Sequence, residues 1–116
     1  MERDPRAFLW HAKDSADAIA EFVRGKMLDD YLADPMRRAA VERCFEVIGE
    51  ALRQLQKVSP ELAREIPELP RAIALRNILI HGYATIDHRR VWRTIEEDLP
   101  TLRERLSGML DKLGKI

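Results

Sequence analysis

Four side chains able to do chemistry stand within eight residues of one another: Arg76, Asn77, His81 and Tyr83. Arginine grips a phosphate through a planar fork of N–H donors. Histidine is the side chain best suited to give and take a proton near neutral pH. Together they can work on a phosphodiester, one handling protons and the other the charge that develops on phosphorus. A plainer reading is structural. His81 would then be a cation in a last helical turn, favoured by the helix dipole, and Arg76 a buried ion-pair partner.

These residues need an element to hold them. Arg71-Ala-Ile-Ala-Leu-Arg-Asn-Ile-Leu-Ile-His-Gly-Tyr83 is mostly apolar. Pro70 suits a first helical position, and Gly82 suits the left-handed residue that closes a helix. The spacing predicts a helix over 70–81 with Tyr83 just beyond its end. At 100° per residue, with Ile73 at 0°, Asn77 falls at about 40° and His81 at about 80°. Arg76 falls at about 300°, roughly 140° from His81. Apolar residues cover most of the circumference, which predicts a buried helix whose polar groups need partners. Arg76 and His81 converge only if the arginine uses its length or if a second copy of the helix faces the first. The pattern points to a site shared between two subunits.

Arg76-Asn-Ile-Leu-Ile-His81-Gly-Tyr83 resembles the Arg-x4-His-x-Tyr signature of the HEPN superfamily, and closely that of its HepT toxins. Ala40-Val-Glu-Arg43 and Val47-Ile-Gly-Glu-Ala51 resemble the preceding HepT helix. Tyr83-Ala-Thr-Ile-Asp87, Val91-Trp92 and Glu97-Asp98-Leu-Pro100 resemble the segments that follow. The likeness covers roughly residues 5–110. It implies a metal-independent endoribonuclease toxin that acts as a homodimer, in a type VII-like toxin–antitoxin system. Its RNA substrate could be a tRNA or an mRNA, and no cofactor is implied. A cognate nucleotidyltransferase antitoxin of the MNT type would silence it by adding AMP to Tyr83. Arg76 and His81 would be catalytic, with Asn77 and Tyr83 in support. Asn77 would orient His81 or hold the substrate. The alternative is a non-catalytic subunit that only binds the nucleotidyltransferase.

The remaining chain should build an all-α, up-and-down bundle of four main helices with short extra turns, in one domain over 1–116. Pro5–Arg24 forms the first helix, capped by Asp4 and closed by Gly25, with an apolar stripe of Phe8, Leu9, Ala12, Ala16, Ile19, Ala20 and Val23. A short turn over 27–33 precedes the longest helix, Pro35–Lys57, whose core face is Val41, Cys44, Ile48, Ala51, Leu52 and Leu55. Gly49 on it could permit close helix approach. Arg43, Glu46, Glu50 and Arg53 form a second stripe at helical spacing. That stripe reads equally as a solvated salt-bridged face and as a polar wall opposite the Arg76–His81 helix. Ser59 should cap a short third helix that ends before Pro67. The last helix spans His88–Leu113, capped by Asp87 and kinked near Asp98-Leu99 by Pro100. His88 reads as a helix-start residue only. Arg89, Arg90 and Arg93 cluster one loop beyond Tyr83 and, with Arg43, are candidate RNA contacts.

Composition bounds the function. Hydrophobic residues make up 46% and charged residues 34%, with a formal net charge of 0. Proteins that coat nucleic acid indiscriminately are strongly basic, so any RNA contact must be local. The lone Cys44 excludes an intrachain disulfide and fits a reducing compartment. There is no membrane-length apolar run and the first residues do not read as a signal peptide, which points to the cytoplasm. No zinc spacing, glycine-rich phosphate loop or strand pattern is present.

Overall fold

A computed structural model describes residues 4–82 and 85–114. All of its regular structure is helical: α1 (Pro5–Phe22), α2 (Leu28–Leu32), α3 (Pro35–Val58), α4 (Pro60–Ala63), α5 (Leu69–His81), α6 (His88–Glu97) and α7 (Leu99–Leu113). The helix starts follow capping chemistry. Asp4, Asp34 and Asp87 each accept a hydrogen bond from a first-turn amide: those of Arg6, Arg37, and of Arg89 and Arg90. Each carboxylate satisfies donors that the helix itself leaves unpaired. Ser59 makes no such side-chain cap; its hydroxyl turns to Glu61 instead. Pro100 breaks the last helix as expected, ending α6 at Glu97 and starting α7 at Leu99.

α3 is the spine. It packs against α1 on one side and α5 on the other, and α7 returns to close against α1. Leu9, Ile19, Val41, Ile48, Leu52, Leu55, Leu106 and Leu110 are fully buried at the centre. Val91, Trp92, Ile95, Leu99, Leu102, Leu106, Met109 and Leu110, the apolar side of α6 and α7, are all buried. Cys44 is only half-buried beside the core, and the core position next to it is filled by Phe45. Burial pushes the Cys44 thiol above its ordinary pKa, which suits a packing residue rather than a nucleophile.

Two ties fix the start of α5. Glu68 is buried, yet Arg105 of α7 reaches it through two hydrogen bonds of 2.9 and 3.4 Å. Burial alone would raise the carboxyl pKa, but the arginine's bonds outweigh it and hold Glu68 below the usual range. Arg71 forks onto Asp98 at 3.1 and 3.2 Å, joining α5 to the α6–α7 junction.

His88 does more than start a helix. Its Nδ1 is buried 3.4 Å from Glu42 on α3. Beside it the fully buried Tyr31 stacks obliquely on Trp92, ring centres 5.3 Å apart. These contacts seat the start of α6 on α2 and α3.

Candidate functional site

α5 lies on α3 at unusually short range, and Gly49 is the reason. A Cβ at that position would stand 2.2 Å from the Arg76 Cβ and 2.8 Å from the Ala72 carbonyl oxygen. No other residue type leaves that space, so the close approach foreseen for Gly49 is real. It sets the stem of Arg76 directly on α3.

The expected burial of α5 on all sides is not met. Only Leu69, Leu75 and Leu79 are buried. Asn77 and His81 are exposed, Ile80 is 37% exposed, and Ile73 and Ile78 are half-buried. Apolar residues cover most of the helix circumference, but among the described residues the well-covered side is the one facing α3. The strip of Asn77, Ile80 and His81 faces outward, with Ile73 half-buried at its edge. Gly82 follows the last turn at φ −108°, not in the left-handed region. Its amide donates to the Ile78 carbonyl at 2.7 Å. A side chain there would strike that carbonyl, since a Cβ would lie 2.8 Å away.

Arg76 is half-buried and held from two sides. Its Nη1 donates to Asn77 Oδ1 at 2.8 Å, and its Nη2 lies 3.2 Å from Glu50 Oε1. Asn77 thus holds Arg76, not His81 as the shared face of the helix suggested. Glu50 is itself kept anionic. The Gln54 amide donates to it at 2.9 Å, and Arg76, Arg53 and Lys57 add positive charge, so its pKa sits below the ordinary carboxylate value. The stripe on α3 therefore combines both readings. Arg43 pairs with Glu46 at 3.4 Å on the open surface, whereas Glu50 turns toward α5 and pairs with Arg76. Sequence spacing marked the stripe but not which member faces α5; the adjacent Gly49 was the available signal.

His81 has no hydrogen bond or ion pair with any described residue, and no described residue joins it to Arg76. Tyr83 lies outside the described residues. Of the other arginines proposed for RNA, Arg89, Arg90 and Arg93 are exposed on α6 with no acidic partner among the described residues. That separates them from Arg43. Among the described residues no group of three His, Cys, Asp or Glu side chains converges as metal ligands would. No described helix is long and apolar enough to cross a membrane.

Among the described residues this arrangement presents an anchored guanidinium, an exposed imidazole without a partner and a basic cluster without acidic partners across the following loop. Comparison with known proteins bears on the same segments. The model of the ribonuclease HepT-like family matches residues 12–109, from α1 to α7. The chain belongs to the HepT-like ribonuclease family. It is 35% identical to a "Probable ribonuclease HepT" of Thermococcus cleftensis, over 99% of this chain and 100% of that protein. It is 34% identical to a protein of Methanocaldococcus jannaschii named as a candidate RNase, over 90% of this chain and 95% of that one. Another candidate RNase, from Caldanaerobacter subterraneus, is 32% identical over 95% and 97%. No solved structure matches the chain. The all-α fold is the one expected for a HepT-like protein.

Proposed function

We propose that this HepT-like protein is an endoribonuclease that cuts RNA without a metal ion, by transesterification. The observation that carries the reading is an anchored Arg76 on the same short helix as a His81 that is exposed and bonds to no described residue. The 2′-hydroxyl attacks the adjacent phosphorus, and the P–O5′ bond breaks. One strand end is left as a 2′,3′-cyclic phosphate and the other as a 5′-hydroxyl. His81 takes the 2′-hydroxyl proton or supplies the one that the leaving oxygen needs. Arg76 stabilises the extra negative charge on the phosphorane, with Asn77 and Glu50 fixing its fork in advance. Arg89, Arg90 and Arg93 hold the RNA backbone. The purified protein should cleave RNA in the presence of EDTA and spare DNA of the same sequence. Loss of cleavage on chelation, restored by a divalent ion, would overturn this chemistry.

The working form is a homodimer with the α5 strips near the two-fold axis. The support is the exposed Asn77–Ile80–His81 strip and the divergence of Arg76 from His81, which a two-fold axis resolves by placing one chain's arginine beside the other's histidine. Arg76→Ala and His81→Ala chains, each inactive, should regain activity when mixed. Random pairing gives about a quarter of the wild-type sites. No recovery would place both groups of a site on one chain.

The protein acts in the cytoplasm as the toxin of a type VII-like toxin–antitoxin pair. Its cognate nucleotidyltransferase antitoxin transfers AMP to Tyr83. Tyr83 follows His81 by two residues, so an attached nucleotide brings bulk and negative charge to the cleft and competes for Arg76. Incubation with that partner and ATP should add adenylyl mass to the wild type but not to Tyr83→Phe. Equal mass on both would move the modified residue elsewhere.

A further inference from the structure

α5 and α6 do not close on each other. Between them runs a groove of about 190 Å³ with an apolar floor of Phe45, Leu75 and Leu99. Ala74 forms part of its wall and lies seven positions before His81. Seven residues return a helix to within about 20° of the same face, roughly 10 Å further along the axis. The other α5 residues of the lining, Arg71, Ala72 and Leu75, stand about 80–180° round the helix from His81. The groove therefore opens beside the His81 strip, about two turns before that histidine.

Its charges are graded along its length. The Arg71–Asp98 fork marks the end near the start of α5. Arg90 and Arg93, one turn apart on α6, line the part toward His81 and have no acidic partner among the described residues. Of the acids lining the groove, Asp98 is taken by Arg71 and Glu68 by Arg105. Glu97 alone keeps a carboxylate without a partner among the described residues.

We propose that this groove receives the base of a nucleotide next to the one cut in the RNA substrate, and that Glu97 selects a base carrying an exocyclic amine. The proposal rests on the reading of the protein as an RNA-cleaving enzyme. A flat ring meets the apolar floor, and Arg90 and Arg93 take the phosphate on the His81 side, where the strand must pass to reach the scissile bond. Stacking on apolar and aromatic surface with arginine at the backbone is how single strands are held. An unpaired carboxylate accepts from the amine of cytosine, adenine or guanine, whereas uracil offers a carbonyl oxygen there.

The test is a methyl NMR titration of the full chain with CMP and with UMP, which needs no cleavage. CMP should shift the Ala74, Leu75 and Leu99 methyl signals saturably, with UMP binding about tenfold more weakly, the scale of one base-edge contact. Glu97→Gln, whose amide can both donate and accept, should bring the two nucleotides to similar affinity. Thr94→Phe, which fills the groove from α6, should abolish the shifts. Equal binding of CMP and UMP to the wild type, or shifts confined to other methyls, would overturn the proposal. So would the same methyls moving with protein concentration alone, which would assign the groove to a second copy of the chain. CMP binding without any RNA cleavage would leave the groove standing and remove the enzyme. Cleavage without CMP binding would do the reverse.

Discussion

His81→Ala lowers the rate of RNA cleavage by about 10²–10⁴-fold, the usual contribution of a positioned acid or base, and leaves the fold intact. The second half of that expectation is what gives the first its meaning. His81 is exposed in the last turn of α5 and bonds to no described residue, so its removal opens no cavity and strands no buried group. Substitutions of that kind stay within about 0.5 kcal/mol. Alanine is also a better helix former than histidine. Single-turnover cleavage and thermal unfolding of the same preparation check both halves. Wild-type cleavage by the variant would remove His81 from the chemistry. A large drop in melting temperature would make the histidine structural, as the plainer reading of the sequence had it.

Gly49→Ala has the second large effect, and it acts at a distance. The added methyl would stand within 2.2 Å of the Arg76 Cβ and 2.8 Å of a backbone oxygen. Neither is the free end of a flexible side chain, so α5 as a whole must move. Overpacking of this kind costs about 1–3 kcal/mol, partly offset by about 1 kcal/mol of helix propensity. The loss in cleavage should be larger than the loss in stability, because the helix that moves carries Arg76, Asn77 and His81. A displacement of about 1 Å at a reacting centre can cost about 10²-fold. Gly108→Ala is the control. That glycine is exposed in α7 with nothing within 4 Å of an added Cβ, so the change should be neutral or stabilising by up to about 1 kcal/mol. Denaturant unfolding alongside initial cleavage rates separates the two positions. Equal effects at Gly49 and Gly108 would show that α5 is not seated by close contact.

Helix periodicity and capping chemistry carry most of this fold. Asp4, Asp34 and Asp87 each sit before the first residue of a helix, and the apolar stripe over 91–110 is buried throughout. What periodicity could not supply is the environment of each face. The circumference of α5 is apolar, which reads as burial, but a helix can be apolar because a second chain covers it. Likewise the 3.6-residue repeat placed Asn77 on the face of His81, yet the adjacent Arg76 reaches back and takes its carbonyl. Side-chain length, not helical phase, decides that contact. His88 shows the same limit: nothing in its local sequence marks Glu42, 46 positions earlier, as its neighbour. Tyr83 lies outside the described residues, so its role rests on the resemblance of the motif and on its place two residues after His81.

The central claim is that the 2′-hydroxyl of RNA is the nucleophile and that this chain's own side chains move its proton. It is met most directly by the chemistry of the ends. A short RNA cut by the purified protein, with EDTA present, should yield fragments ending in a 2′,3′-cyclic phosphate, partnered by fragments with a free 5′-hydroxyl, both read by mass. A 5′-phosphate with a plain 3′-hydroxyl would mean that water attacked instead. Intact RNA, from a protein that does bind the nucleotidyltransferase proposed as its partner, would make it the binding subunit and not the nuclease.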